Sequence, residues 1–142
     1  MSKGTPAPGG NDSDRDGLDT WEALRAITQE TRASLIADIV GHPEGMISVP
    51  ELDYLNPDIE RSAITEHLDV LLDTGVLAKA TIPVGERSRD LPYTFYYVTE
   101  AGRDLFDRND IFDEAIWREQ YETVQKTPAI REIEGMDRPE PN

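Results

Sequence analysis

Residues 60–77 decide the predicted fold, and they read Glu60-Arg-Ser-Ala-Ile-Thr-Glu-His-Leu-Asp-Val-Leu-Leu-Asp-Thr-Gly-Val-Leu77. An apolar stripe recurs there at helical spacing, formed by Ile64, Leu68, Leu71 and Leu72. Polar side chains lie off that stripe, among them Ser62, Thr65, Glu66 and Asp69. Gly75 is a typical residue just after a helix end. The stretch therefore predicts a helix over 60–74 with one buried face and one polar face.

A shorter helix is predicted immediately before it, across a tight turn. Ser48-Val-Pro-Glu51 is a capping box, with the acid three residues after the serine and a proline in the first turn. This helix runs through Leu52 and Leu55 and ends at Asn56-Pro57-Asp58. Two helices joined by so short a turn cross each other rather than run antiparallel. The pair predicts a helix-turn-helix whose second helix can enter a DNA major groove.

Two more helices are predicted upstream. Asp19 or Thr20 can cap the first, whose apolar residues are Trp21, Leu24 and Ile27. Thr31 can cap the second, in which helical spacing connects Leu35, Ile36, Ile39 and Val40. We expect this helix to end at Gly41-His42-Pro43, because glycine permits a reversal and proline blocks continuation.

A β-hairpin is predicted downstream. Val76 to Pro83 and Tyr93 to Val98 favour strands, and a polar loop over 85–92 joins them. Further helices are predicted after the Thr99 cap, over Phe112 to Val124 and near Ala129 to Ile133. This order predicts an α+β, mostly α fold, a winged helix-turn-helix with a two-stranded β-hairpin wing and additional C-terminal helices.

The chain divides into four predicted segments. Residues 1–17 are rich in Gly, Pro, Ser, Asp and Asn, and we expect a disordered N-terminal tail. Residues 18–109 form the predicted winged helix-turn-helix domain, and residues 110–135 the C-terminal helices, to which we assign dimerisation. Residues 136–142 are expected to be a second disordered tail.

The acidic composition bears on the partner and on the environment. The formal net charge is −15 and lysine is scarce. An acidic chain is normally repelled by nucleic acid, but acidic, lysine-poor surfaces are typical of proteins that stay soluble in molar salt, where the Debye length falls to about 3 Å. The charge is spread along the chain rather than packed into one tail, which favours a halophilic protein from a salt-rich cytoplasm. No signal peptide or membrane span is predicted, so we expect a cytoplasmic location and no membrane partner.

Catalysis finds little support in the sequence. The chain has no glycine-rich phosphate loop, no nucleophile elbow and no histidine cluster. It contains no cysteine, which excludes disulfides and thiolate metal sites. We expect no enzyme activity, no cofactor and no resident metal.

The helix motif resembles a known family. Arg61-Ser-Ala-Ile-Thr-Glu-His-Leu68, with Leu71 and Gly75-Val76-Leu77, is similar to the recognition-helix pattern of ArsR-type winged-helix regulators. Tyr97-Val98-Thr99-Glu-Ala-Gly102 resembles the end of the wing in ArsR, MarR and PadR-like regulators. Residues 31–45 and the loop Glu86-Arg-Ser-Arg-Asp-Leu-Pro92 look like haloarchaeal ArsR-like members, and the resemblance covers about residues 21–134. It implies a transcription regulator. Metal-sensing members carry a cysteine pair that this chain lacks, so thiolate metal sensing is excluded.

Candidate DNA contacts lie on the predicted recognition helix and at the hairpin tip. Those on the helix are Arg61, Ser62, Thr65, Glu66 and His67, and those in the wing are Arg87, Ser88 and Arg89. Simpler interpretations stay open, because a solvated carboxylate or a packed histidine would look the same in sequence. The two wing arginines, in turn, can pair with Glu86 and Asp90.

The proposed interface of a homodimer draws on the last long helix and the first. Its residues are Trp21, Leu24, Ile116, Trp117, Tyr121 and Val124. Regulators of this fold mostly dimerise and read palindromic half-sites. The alternative is that Trp117 and Tyr121 simply cover the domain core.

The expected partners are double-stranded DNA and a second copy of the chain, with K⁺ or Na⁺ ions at the DNA interface. A rival hypothesis is a winged helix that binds a basic protein in a transcription-related complex and never contacts DNA. The sign of charge on the recognition helix and wing separates the two. Arginines on a face free of carboxylates favour DNA, and a face dominated by Glu60, Glu66, Asp69, Glu86 and Asp90 favours a protein.

Overall fold

A computed structural model describes residues 18–141, so the predicted tail over 1–17 lies outside the described part. The elements are α1 (Thr20–Ile27), α2 (Glu30–Gly41), α3 (Val49–Leu55), α4 (Arg61–Asp73), β1 (Leu77–Thr81), β2 (Thr94–Val98), α5 (Glu100–Arg108), α6 (Glu114–Glu122) and α7 (Pro128–Gly135). A 3₁₀ turn at Val84–Glu86 lies between the strands. This confirms the predicted fold class, helices with a two-stranded hairpin. No helix within 18–141 is long and apolar enough to cross a bilayer.

The predicted helix starts hold where a short polar side chain caps the backbone. Asp19 caps α1, and Thr99 caps α5. The Ser48 capping box opens α3 with both of its reciprocal bonds present. The prediction for α2 was wrong by two residues, because Gln29 rather than Thr31 accepts the first-turn bond, from the Arg32 backbone N–H.

The start of α6 also differs from the prediction. Asp113 caps this helix, which begins at Glu114 rather than at Phe112. Phe112 has a φ of 53°, in the left-handed region that is unfavourable for an aromatic residue. Its ring lies 4.8 Å from that of Phe106, and this contact favours the position of Phe112 outside the helix.

The hairpin is antiparallel and in a fixed register, with Leu77 opposite Val98 and Thr81 opposite Thr94. Both strands are shorter than predicted, although the Ile82 N–H still donates to the Tyr93 carbonyl beyond them. Ile47, just before α3, adds a bridge to Tyr96 through two backbone hydrogen bonds of 3.0 and 2.8 Å. This bridge ties the helix-turn-helix to the wing, and no alternating pattern in the sequence indicated it.

The main core lies among the first five helices and the base of the hairpin. Its fully buried members include Leu35, Ile36, Ile47, Leu52, Ile64, Leu68 and Leu71. A smaller cluster of Met46, Ala80 and Phe95 lies under the hairpin, with Met136 packed against it. Both clusters fix the helix-turn-helix and the wing in one body.

The C-terminal helices pack on the winged helix through a close approach of backbones. A Cβ atom at Gly41 would lie 2.5 Å from the Trp117 carbonyl oxygen, so α2 and α6 can touch only with glycine there. The prediction that this helix ends at Gly41-His42-Pro43 is confirmed, but the role of Gly41 is steric, since its φ is not in the left-handed region that favours glycine.

The chain from Met136 to Pro139, here called the C-terminal arm, also departs from expectation. The side chain of Arg138 is only 6% exposed. Its guanidinium donates to the backbone carbonyls of Met46 and Ile133 and lies over the ring of Phe95. The prediction of a loose tail from Met136 is wrong for Arg138, because its guanidinium pairs with the buried carboxylate of Glu51.

Candidate nucleic-acid interface

The helix-turn-helix consists of α3 and α4, which pack together through their apolar sides. Ile64, Leu68 and Leu71 hold the inner face of α4 in the core with no exposed surface. Gly75 ends the helix with a φ of 82°, a conformation that favours glycine. Burial of one face on an i, i+4, i+7 pattern leaves the opposite face of α4 to solvent.

The exposed face of α4 carries the predicted polar residues. Ser62, Thr65 and Glu66 are all exposed, and the Thr65 hydroxyl donates to the Arg61 carbonyl at 3.1 Å. Glu60 precedes the helix without forming a side-chain cap. The first-turn N–H groups of α4 therefore have no side-chain acceptor from the N-cap residue.

Carboxylates occupy the centre of that face. Glu66, Asp69 and Asp73 are exposed and three or four residues apart, which places them on one side of the helix. We call these three residues the acidic stripe. Sequence reasoning named the first two and missed Asp73, although its spacing gave the signal.

Arg61 lies at the edge of the face and already has a partner. Its Nη2 atom is 3.1 Å from Oδ2 of Asp53 on α3, and both side chains are well exposed. An exposed pair of this kind is weak and exchanges readily with another anion. The arginine is thus available to phosphate only in competition with its own carboxylate.

His67 is half-buried at the edge of the inner face of α4. Its Nδ1 atom lies 3.2 Å from Nη1 of Arg32, whose Nε donates to the Ala26 carbonyl at 2.7 Å. Because a guanidinium has only donors, Nδ1 of His67 accepts this hydrogen bond. This geometry favours the packing role for His67 over phosphate contact.

The two arginines of the wing differ in exposure: Arg89 is exposed to solvent, whereas Arg87 packs against the hairpin. Arg87 donates through Nε to the Ile82 carbonyl at 2.9 Å, and its guanidinium lies 3.8 Å from the centre of the Tyr93 ring. Arg87 is therefore held against the hairpin by these two contacts, and its predicted DNA contact stays a prediction. Arg89 and Ser88 are exposed, and no residue within 18–141 forms an ion pair with Arg89. Glu86 and Asp90, on either side, are exposed as well.

A buried polar cluster supports the helix-turn-helix from below. The Oε1 atom of Glu51 accepts from the Ser48 backbone and hydroxyl, and Oε2 lies 2.6 Å from Nε2 of His42. Arg138 completes the cluster at 3.2 Å from both oxygens. Sequence reasoning assigned no function to His42 and none to Arg138, because no local pattern predicts a contact between residues so far apart in the chain.

Protonation in this cluster follows from the same contacts. Burial alone would raise the pKa of Glu51, but the hydrogen bond from His42, the positive charge of Arg138 and the hydrogen bond from the Ser48 backbone together hold it below its ordinary value. The Glu44 N–H donates to Nδ1 of His42, so Nε2 carries the proton that faces Glu51. The cluster is therefore an ionised carboxylate with donors on both of its oxygens.

The residues predicted at a dimer interface separate into two groups. Trp21, Ile116 and Trp117 are exposed, at 60%, 58% and 36% of their surface. Tyr121 is buried at 5% with its ring 5.4 Å from that of His42, so its assignment to an intermolecular surface was wrong. Leu24 packs against the main core, and Val124 is half-buried.

Two helices, a helix-turn-helix and a hairpin tied to it define a winged helix-turn-helix protein. This is a DNA-binding, non-enzymatic fold of transcription factors. The solved structure of a protein with a GntR superfamily winged-helix-turn-helix domain from Halomicrobium mukohataei is 31% identical to this chain. It matches 100% of this chain and 94% of its own, with a TM-score of 0.78. The chain belongs to this family of proteins with a GntR-superfamily winged-helix-turn-helix domain. No protein-family model and no curated protein sequence matches it.

Proposed function

We propose that the protein is a sequence-specific transcription regulator that places α4 in the DNA major groove and the wing on the backbone or minor groove. The observation that carries this proposal is the exposed outer face of α4, with Ser62 and Thr65 in its N-terminal half and the hairpin in the same rigid body. Hydroxyls donate to phosphate oxygens, and Arg61 can exchange Asp53 for a phosphate or a guanine edge. The likeness of the α4 motif to ArsR-type regulators is a hypothesis within this wider class.

The acidic stripe sets the conditions under which such binding works. Three carboxylates facing DNA repel phosphate at low salt. At molar salt the repulsion is screened, and K⁺ or Na⁺ ions can bridge carboxylate and phosphate oxygens. The proposal therefore includes a salt-rich cytoplasm and bound monovalent cations at the interface.

We also propose that two copies associate and read a palindromic operator. Trp21, Ile116 and Trp117 are the large apolar side chains left exposed among those predicted for the interface. Light scattering in high salt tests this proposal with Ile116→Asp, which puts a charge on the exposed face of α6. Loss of the dimer with retained helicity is the expected result, and an unchanged mass would contradict the assignment.

Fluorescence anisotropy with the DNA upstream of the protein's own coding sequence tests the main proposal. A scrambled duplex of the same composition is the DNA control. We expect saturable binding to the native sequence in molar KCl, weakened about three- to tenfold by Arg61→Ala, the cost of one lost phosphate or base contact. Arg108→Ala on α5 removes the same charge away from α4 and should leave affinity unchanged.

A protein partner is the second candidate, and the acidic stripe is the observation that favours it. Carboxylates outnumber arginines on the exposed face of α4, where Arg61 is paired with Asp53. A basic protein would meet complementary charge there without any bridging cation. Binding of neither operator nor scrambled duplex at any salt, by a protein that unfolds cooperatively, would support this candidate over DNA.

A further inference from the structure

Arg32, in the first turn of α2, lies beside α4 and is held there by two side-chain contacts. Its Nε atom donates to the Ala26 carbonyl in the last turn of α1, and its Nη1 atom donates to Nδ1 of His67 on α4, 3.2 Å away. The backbone N–H of Arg32 donates to the side chain of Gln29, the N-cap residue of α2. Backbone and guanidinium are both fixed, so this side chain loses little conformational entropy when it binds a further group.

The Arg32 guanidinium keeps unused hydrogen-bond donors. A guanidinium has five N–H donors, and the bonds to Ala26 and His67 use two of them, which leaves three. The Nη2 atom is not among the buried unpaired nitrogen and oxygen atoms of the described residues, so it reaches solvent. No carboxylate within residues 18–141 is paired with Arg32, although Glu30 lies two positions earlier in the chain. Arg32 therefore retains a charge and donors for an anion outside the chain.

Arg32 and Arg61 lie on either side of the acidic stripe. With about 100° of rotation per residue, Arg61 and His67 fall on the two edges of the exposed face of α4, and the acidic stripe lies between them. Arg61 adjoins α3 through its pair with Asp53, and His67 adjoins α2 through Arg32. The exposed face of α4 thus has carboxylates along its middle and one guanidinium at each edge.

This arrangement of charges matches the layout of a DNA major groove. The groove is about 12 Å wide, close to the diameter of about 10–12 Å of a helix with its side chains. The middle of a helix in the groove faces the base edges, where carboxylates can accept from cytosine amino groups. Groups at the two edges of the helix face the phosphates of the two strands.

We propose that Arg32 binds a DNA backbone phosphate on the opposite side of the major groove from Arg61, and that His67 positions it. This inference rests on the proposed DNA-binding function and adds to it a contact from α2, outside the helix-turn-helix and the wing. Phosphate oxygens accept from Nη2 of Arg32 while Nη1 stays bonded to His67. His67 then acts through Arg32 and does not itself contact the phosphate.

Salt dependence separates a phosphate contact from a structural role of Arg32. Fluorescence anisotropy follows the binding of the full chain to the duplex from upstream of its own coding sequence, from about 0.2 to 3 M KCl. We expect Arg32→Gln to weaken binding about three- to tenfold and to raise the slope of log K against log[KCl] by about 0.9, the share of one phosphate contact.

Two further variants serve as controls. Arg32→Lys keeps the charge, so it should keep the slope of the native protein even if its contacts with Ala26 and His67 are weakened. Arg108→Gln on α5 removes one charge away from α4 and should change neither affinity nor slope. Thermal unfolding checks that each variant is folded at the titration temperature.

A double-mutant cycle tests the positioning by His67. His67→Ala removes the acceptor of Nη1 and should weaken DNA binding about two- to threefold, because the Arg32 side chain becomes less ordered. In the Arg32→Gln background the same substitution should have no further effect. Losses that add in the double variant would contradict a role of His67 through Arg32.

Three results would overturn the phosphate contact. The first is native affinity and slope in Arg32→Gln. The second is an equal loss of affinity in Arg32→Gln and Arg32→Lys with the slope unchanged in both, which indicates a structural role alone. The third is the absence of binding by the native protein at any salt. That result also contradicts the proposed function, whereas the first two leave it intact because the native protein still binds.

Discussion

The acidic stripe on α4 and the buried cluster around Glu51 differ in the exposure of their carboxylates and in how those carboxylates are paired. On α4, Glu66, Asp69 and Asp73 are exposed with no cation among them. In the cluster, the single carboxylate of Glu51 is fully buried and has donors on both oxygens. The carboxylate that supports the helix-turn-helix is thus paired inside the protein. The carboxylates on the exposed face of α4 are instead available to a binding partner or to salt ions.

The same distinction between buried and exposed charges separates the arginines that stabilise the fold from those that are available to DNA. Arginines in a DNA-binding fold suggest phosphate contact, yet Arg87 lies against Tyr93 and Arg138 lies beneath α3. Both position other elements. Arg61 and Arg89, by contrast, remain exposed beside the outer face of α4 and in the wing.

The largest expected effect comes from opening the buried cluster. Arg138→Ala leaves Glu51 buried without its guanidinium partner, with only His42 and Ser48 as donors, and we expect a loss of about 3 kcal/mol in the free energy of unfolding. Denaturant unfolding measures it. The control is Arg108→Ala, which removes the exposed pair with Asp104 and should cost less than about 0.5 kcal/mol. Equal losses in the two variants would erase the contrast between buried and exposed charge.

Gly41→Ala tests the docking of the C-terminal helices. The new methyl group would meet the Trp117 carbonyl at 2.5 Å, so α6 must shift, at a cost of about 1–3 kcal/mol. Gly135→Ala is the matched control, since a Cβ atom there meets nothing within 4 Å and a helical alanine stabilises by about 0.5–1 kcal/mol. Thermal unfolding should move in opposite directions, and a stabilising Gly41→Ala would disprove the close approach.

The carboxyl group of Asp38, which belongs to neither the acidic stripe nor the buried cluster, makes the stability of the protein depend on pH. Burial raises its pKa to about 6, although the Asn56 amide, 2.7 Å away, partly lowers it. The folded state therefore binds this proton more tightly than the unfolded state, in which the pKa of an aspartate is about 3.9. Its stabilising contribution is full below about pH 4 and is lost as pH rises to about 6.

Asp38→Asn should accordingly stabilise the protein by about 1–3 kcal/mol at pH 7.5, and by clearly less at pH 5. Chemical unfolding at the two pH values measures the difference. Asp107→Asn, at an exposed position on α5, should change stability by less than about 0.5 kcal/mol at both. A gain from Asp38→Asn that is the same at pH 5 and pH 7.5 would contradict the burial argument.

The smallest expected effects separate the two wing arginines. Arg89→Ala should weaken operator binding by about three- to tenfold, on the order of 1 kcal/mol, without changing Tm. Arg87→Ala should lower the free energy of unfolding by about 0.5–1 kcal/mol through loss of its contact with Tyr93. A reversed pattern would show that Arg87 leaves the ring on binding and that Arg89 does not contact DNA.

The sequence predicts the elements well because each has a local cause. The Ser48 capping box, the apolar stripe of α4 and the Gly75 stop all act within a few residues. Prediction from the sequence fails where a contact joins segments far apart in the chain. The Ile47 bridge to Tyr96 and the Arg138 contact with Glu51 are two such contacts. Three of the eight candidate DNA contacts, Arg61, His67 and Arg87, share this weakness, because exposure can be predicted from a pattern but their partners Asp53, Arg32 and Tyr93 cannot.

The most direct test of the central claim is the salt dependence of operator binding. Anisotropy titrations from about 0.2 to 3 M KCl give the slope of log K against log[KCl], which for ordinary phosphate contacts is about −0.9 per contact. A recognition face that carries the acidic stripe and binds through hydrogen bonds and bridging cations predicts a slope near zero or positive. A steep fall in affinity with rising salt would contradict this account of the interface.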